Sequence, residues 1–310
     1  MTDNKKSTKL FSNMIFVTFA ALLCCALWGS ATPFIKTGYL LMLPAKDVPS
    51  TILFAGIRFT FAGILTVLIY SIARRKFLYP KRKNIGRVAL VASVQTVIQY
   101  IFFYVGLANT TGVKGTILTG SNAFFALLIA SLIFRQEKLT VRKVVACLIG
   151  FSGIILVNLN GLSFNMNFTG DCFVLFSSIS YAFSSVLIKI FSKDEDPVVI
   201  SGYQFMMGGL FMVILGFMLG GNVVVGSFKA FGVLAYLSLL SAIAYSLWGV
   251  LLKHNPVSRV SIFNFMTPVM GVILSAIMLP EESNVELFNL IITMILVSGG
   301  IILLNYKKQD

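Results

Sequence analysis

Several polar and aromatic side chains interrupt the first long apolar run of this chain. In "LCCALWGSATPFIK", residues 23–36, Cys25, Trp28, Thr32 and Lys36 follow one another at three, four and four residues. On a helix of 3.6 residues per turn they share one face. The same types return far down the chain as Ser178, Tyr181, Ser185 and Lys189. A large aromatic and a hydroxyl repeated on one helical face suit reversible recognition of a small molecule by stacking and hydrogen bonding. Helix packing accounts for Cys25, Ser178 and Pro33, because small side chains let membrane helices approach and hydroxyls satisfy backbone groups freed by a proline kink. Trp28, Thr32, Tyr181 and Ser185 read instead as cavity lining. Lys36 and Lys189 stand at helix ends, where a long basic side chain snorkels to the interface or serves a gate.

Further polar residues lie inside apolar runs. Gln95 and Gln99 precede Tyr100 and Tyr104, and Ser238, Ser241, Tyr245 and Trp248 follow at spacings of three, four and three. Asn122 follows Thr119, and Asn264 precedes Thr267 and Pro268. Together Trp28, Thr32, Gln95, Gln99, Asn122, Tyr181, Ser185, Tyr245, Trp248 and Asn264 outline a neutral, amphipathic substrate site. Arg58 is a cation within an apolar run, a functional position by default, although it lies near enough to a helix end to reach the interface or tie a neighbouring carbonyl. Glu137 and Glu281 fall at helix ends, as caps or gate residues. The acidic residues lie at termini, in loops or at span ends, which disfavours polycations and cationic drugs as cargo. The single histidine, His254, has no ligand partner at metal-binding spacing, and no nucleophile, base and acid can be assembled for catalysis. No cofactor, metal or catalytic set is expected.

These side chains must be carried by membrane helices. The chain is 57% hydrophobic and 12% charged, against about a quarter charged in soluble domains. Runs of ~20 apolar residues cross a bilayer, and they recur at roughly 14–36, 51–73, 85–107, 113–134, 141–159, 170–191, 198–220, 230–252, 258–279 and 285–305. The net charge of +14 is concentrated in short loops such as "ARRKFLYPKRKNIGR" (73–87). That is the asymmetry that orients membrane proteins, and it argues against nucleic acid as a partner. With both termini cytoplasmic, the outer loops receive only Lys46, Lys114 and Lys229.

The chain also repeats itself. "LWGSATPFIK" (27–36) parallels "SYAFSSVLIK" (180–189), and "FAGIRFTFAGI" (54–64) parallels "ISGYQFMMGGL" (200–210), pairing Gly56 with Gly202, Phe59 with Phe205 and Gly63 with Gly209. Glu137 parallels Glu281, and "FSGIILVN" (151–158) parallels "SGGIILLN" (298–305). Ordered matches at nearly one offset indicate a duplicated unit. Five spans per unit is an odd number, so the second copy enters the membrane from the opposite side. The expectation is an all-α membrane protein of ten transmembrane helices, built as two inverted five-helix repeats at 1–160 and 161–310, in which the halves rock about a site at their interface.

"LWGSATPFIK", "GIRF", "FRQEKLT" and "GFSGIILV" resemble, in order and in two tandem copies, the motifs of the EamA family of the drug/metabolite transporter superfamily. The resemblance implies a ten-helix, inverted-repeat transporter with a central cavity, and export of amino acids or other metabolites. Pro268 supplies the proline usual in the ninth span of the family, Phe124 stands where the fourth would have one, and Gln204 stands where the second copy would have arginine. The leading expectation is alternating-access export of a small neutral or zwitterionic metabolite, an amino acid foremost, through the cell membrane. A phosphorylated or nucleotide-linked substrate held by Lys36, Lys189 or Arg58 is the rival within transport, and an integral-membrane enzyme is the rival outside it.

Overall fold

The computed structural model describes residues 10–45, 47–110, 112–157, 167–278 and 287–305. Glu281 and the side chain of Thr32 lie outside the described part. The helices are α1 (Met14–Met42), α2 (Val48–Ala73), α3 (Arg82–Ala108), α4 (Lys114–Ile133), α5 (Val141–Val157), α6 (Phe168–Phe191), α7 (Pro197–Met218), α8 (Phe228–His254), α9 (257–278) and α10 (Leu287–Asn305). Among the described residues there is no strand, and eight helices, all but α5 and α9, are long and apolar enough to cross a membrane. α5 has 17 residues, and α9 is divided by a 3₁₀ turn at Ile262–Phe265. Large apolar side chains such as Phe19, Ile72, Phe217, Phe228 and Ile302 stand on the outer surface, a distribution that water does not tolerate over a large area and hydrocarbon does.

Helix starts are set by short polar side chains that accept from otherwise orphaned backbone N–H groups. Asn13 Oδ1 accepts from Ile15 N at 2.9 Å, Asp47 Oδ1 from Ser50 N at 2.7 Å, and Ser227 Oγ from Ala230 N at 3.1 Å. Interior irregularities are as specific. π-Helical turns occupy Ala92–Ile98 in α3 and Ile129–Ile133 in α4, and α4 is interrupted between Gly120 and Asn122.

α2 packs along α7 and α5 along α10, while α1 packs on α8 and α9 and α6 packs on α3 and α4. Exchanging each helix with the one five places later maps this pattern onto itself. Glycines bring α2 and α7 into backbone contact: a Cβ on Gly56 would lie 2.9 Å from Gly209 O, and one on Gly63 would lie 2.5 Å from Gly202 O. The rising order in α2 meets the falling order in α7, so these helices run antiparallel. α10 approaches α5 similarly, a Cβ on Gly300 lying 2.6 Å from Ala146 O.

The two ends of α3 carry polar ties. At its start, the loop between α6 and α7 is held to the loop between α2 and α3: Arg87 Nη1 donates to Asp194 Oδ2 at 2.6 Å, Lys81 N and Asn84 Nδ2 each donate to Glu195 Oε2 at 2.9 Å, and Arg74 pairs with Asp196. The hydrogen bond from Arg87 holds the Asp194 carboxyl below the usual carboxylate range. At the far end of α3, Lys114 Nζ pairs with Asp171 Oδ2 at 2.8 Å, and Thr110 Oγ1 and Asn167 N also donate to Asp171, at 2.5 and 2.9 Å.

Candidate functional site

The aromatic residues singled out in the sequence converge inside the bundle. From the middle of α1, the Trp28 ring meets Trp248 at 4.9 Å, Tyr245 at 5.2 Å and Tyr181 at 6.5 Å between centroids, all edge-on. These geometries suit the aromatic quadrupole. Trp28 and Tyr181 hold equivalent positions in the two sequence copies, and so do Phe59 and Phe205, which stack at 5.1 Å with planes 13° apart. Tyr100 lies 4.5 Å from Phe59 and shares a 2.7 Å hydroxyl–hydroxyl hydrogen bond with Tyr245. One ring from each half thus meets its counterpart at the centre.

Spacing explains how α8 supplies its share. Ser238, Ser241, Tyr245 and Trp248 lie on one helical face, which is turned toward α1 and α2. Ser238 Oγ donates to Arg58 O at 3.1 Å, Ser241 Oγ accepts from Arg58 Nη2 at 3.4 Å, and the two rings meet Trp28. Arg58 is 4% exposed, with its guanidinium 4.5 Å above the Phe59 ring. It does not reach the outer surface, and among the described residues it donates to no backbone carbonyl.

The bundle interior carries buried polar atoms without a hydrogen-bonding partner among the described residues, some on the clustered side chains and others on α3, α4 and α9. They include Trp28 Nε1, Trp248 Nε1, Arg58 Nε and Nη1, Gln95 Oε1, Gln99 Oε1, Asn122 Oδ1, Asn264 Nδ2 and the hydroxyls of Tyr104 and Tyr181. An unsatisfied buried group costs about 1–3 kcal/mol, a cost that water or a polar ligand removes where either reaches the group. Asn264 sits in the 3₁₀ turn of α9, Asn122 follows the break in α4, and Gln95 lies in the π-helical turn of α3. Irregular backbone at membrane depth is tolerated where it lines a cavity or is buried in protein.

The remaining sequence candidates fall elsewhere. Ser185 Oγ donates to Tyr181 O at 3.0 Å within its own helix, so its donor is spent on the backbone. Lys36 is exposed. Lys189 Nζ donates to Leu252 O at 3.1 Å and also to Asn255 O, closing the end of α8. Glu137 ties the α4–α5 loop to the start of α9, accepting from Ser258 N at 3.0 Å, from Ser258 Oγ and from Lys143 Nζ at 2.5 Å. Phe59 and Phe205 entered the sequence argument only as markers of the repeat, yet they form the stacked centre. Their signal was an aromatic kept at equivalent positions in both copies. A groove of about 190 Å³ between α3 and α7, lined by Ala92, Val97, Gly208 and Phe211 among others, is apolar and separate from this cluster.

Comparison with known proteins agrees with this architecture. The model of the EamA-like transporter family matches residues 15–159 and again 168–306. An uncharacterized transporter of Synechocystis sp. is 27% identical over 305 residues, covering 91% of this chain and 88% of its own. The uncharacterized transporter YvbV of Bacillus subtilis is 23% identical over 298 residues, covering 91% and 89%. A solved crystal structure superimposes with a TM-score of 0.74 at 15% identity, over 94% of this chain and 97% of that one, which is a likeness of fold. Matched over nearly its whole length, this multi-pass membrane chain belongs to the EamA-like transporter family.

Proposed function

We propose that the protein is a secondary transporter that exports a small neutral or zwitterionic metabolite, an amino acid foremost, by alternating access. In this reading ten spans form two inverted five-helix repeats, 1–160 and 161–310, with both termini cytoplasmic in the cell membrane. Support comes from the exchange symmetry of helix packing, the antiparallel glycine contacts of α2 with α7 and the doubled family match. Two halves related in this way rock about a site that belongs to both.

The observation that carries the substrate reading is the central cluster itself. Trp28, Tyr181, Tyr245 and Trp248 offer rings, while Gln95, Gln99, Asn122 and Asn264 offer polar atoms without partners. Thr32 belongs to the same face of α1 by sequence. Lys36, Glu137 and Lys189 act at helix ends or gates, outside the stacking cluster, and the sequence assigns the same role to Glu281. Clamping of a phosphorylated substrate by lysine is less favoured, since the Lys189 ammonium is engaged by backbone carbonyls.

Counterflow into proteoliposomes preloaded with pooled zwitterionic amino acids, against sugar phosphates and nucleotides in a parallel set, tests the reading. Uptake driven by the amino-acid pool is expected. Uptake driven only by the anionic pool would overturn the substrate class, and turnover without vectorial movement would overturn transport.

A further inference from the structure

We infer that Arg58 is the residue that binds a carboxylate carried by the transported molecule, a deepening that rests on the transporter reading above. Arg58 is buried within α2, and no carboxylate among the described residues forms an ion pair with it. Nη2 donates to Ser241 Oγ over a long 3.4 Å, the guanidinium also lies against the Tyr100 hydroxyl, and among the described residues Nε and Nη1 have no hydrogen-bonding partner. A planar guanidinium with open donors matches the geometry of a carboxylate. A cation inside the membrane without a protein counter-ion is expensive, and a ligand that brings the negative charge removes that cost each time it binds.

The surroundings match the remainder of such a ligand. The guanidinium rests on Phe59, which stacks on Phe205 and touches Tyr100, and the Tyr100–Tyr245 hydroxyl pair links this floor to the ring of Trp28. An apolar or aromatic side chain therefore has ring faces within reach of the carboxylate anchor. On α3, the helix that carries Tyr100, Gln95 Oε1 and Gln99 Oε1 have no partner among the described residues, and in this reading an ammonium is assigned to them. Neutral acceptors hold an ammonium without adding a second charge to the bilayer core.

The two-fold also explains why a single arginine is useful. A site built from matching halves presents an asymmetric ligand with two equivalent poses. Position 204, the counterpart of Arg58, is a glutamine whose Oε1 accepts from Thr96 Oγ1 at 2.5 Å. Gln204 Oε1 is thereby engaged in a tie between α3 and α7, and its Nε2, unpartnered among the described residues, is a neutral donor without the charge of Arg58. The charge pattern breaks the symmetry at this one pair and fixes which way the carboxylate points.

The chain has two tryptophans, Trp28 and Trp248, and they touch within the site, so intrinsic fluorescence reports binding there. The probes are L-phenylalanine and 3-phenylpropionate, each beside its carboxamide, with phosphate esters as non-carboxylate anions, in fluorescence titration and in counterflow. The wild type is expected to prefer each acid over its amide by at least about tenfold, as for a charged hydrogen bond kept or lost in a buried site. Arg58→Gln is expected to bring the acid-to-amide ratio down to near one, and Arg58→Lys to restore part of it. Should Arg58→Gln lose the native tryptophan emission, Ser241→Ala replaces it, and a reduced acid-to-amide ratio is expected. Equal handling of acid and amide by the wild type, or an undiminished preference in the variant used, overturns the assignment while transport stands. Counterflow by phosphate esters alone overturns the carboxylate. Absence of counterflow with every probe and every metabolite pool overturns the transporter reading and the inference with it.

Discussion

Trp28 and Trp248 touch each other, yet they should fail differently when replaced. Trp248 is 2% exposed and packed on all sides, so Trp248→Ala removes a core ring, a change that costs about 3–5 kcal/mol in well-packed interiors. Its melting temperature in detergent should fall by more than that of Trp28→Ala. Trp28 is half-buried and faces the rings of both halves, so Trp28→Ala should cost transport first. Trp28→Phe keeps the edge contacts, worth about 0.5–1.5 kcal/mol each, and should keep most of the counterflow. Equal loss with Phe and Ala would mean that the indole N–H, not the ring, carries the role. The same residues show what was legible in the sequence: ring types recurring at equivalent helical positions singled out Trp28 and Tyr181, whose rings meet in the structure. Ser185 followed the same pattern but turns its hydroxyl to its own backbone, because a serine in a helix can always satisfy itself one turn back. Side-chain rotamers of that kind leave no trace in spacing.

At the scale of helices, the crossing of α2 with α7 depends on glycine. Gly63→Ala would place Cβ 2.5 Å from Gly202 O and 2.6 Å from Met206 N, so backbone must shift to admit it. Overpacking of this kind costs typically about 1–3 kcal/mol, read as a lowered melting temperature together with weakened counterflow. Gly232→Ala in α8 is the matched control, since nothing lies within 4 Å of its added Cβ. It should be neutral or stabilising by up to about 1 kcal/mol, the helix-propensity gain of alanine over glycine. If Gly63→Ala melts like Gly232→Ala, the close crossing is not needed. Apolar run length was enough to find the helices, while glycines at matching positions marked the repeat in the sequence and only the structure shows that α2 and α7 cross at them. The turns at Ile262–Phe265 and Ala92–Ile98 were not foreseeable in the same way. Hydropathy reports which surface meets lipid, while a slip from one hydrogen-bond ladder to another leaves it unchanged.

For the molecule as a whole, the alternating access proposed above would require that contacts between loops at one end be breakable, and the ties to the α6–α7 loop include an exposed ion pair. Asp194 is exposed and its bond from Arg87 is a surface pair, worth little by itself, but it acts together with the bonds to Glu195 and Asp196. The direction of its titration is definite. Its folded carboxyl lies below the usual range, so the stabilisation is complete above the unfolded carboxylate value and is lost as pH falls through the folded one. The wild type should therefore lose melting temperature on acidification from neutral pH into the range below about 4. Asp194→Asn should melt lower at neutral pH and lose part of that acid-dependent decline, so that the two curves converge at the acid end. Added salt should shrink the gap at neutral pH, because an exposed pair is screened. Curves that stay parallel across the whole pH range would show that Asp194 is not coupled to the fold. In that case the hold on the α6–α7 loop would rest on Glu195, which accepts from Lys81 N and Asn84 away from solvent, and Glu195→Gln, which keeps an acceptor for both donors, would then be the milder of the two changes and Glu195→Ala the one that frees the loop.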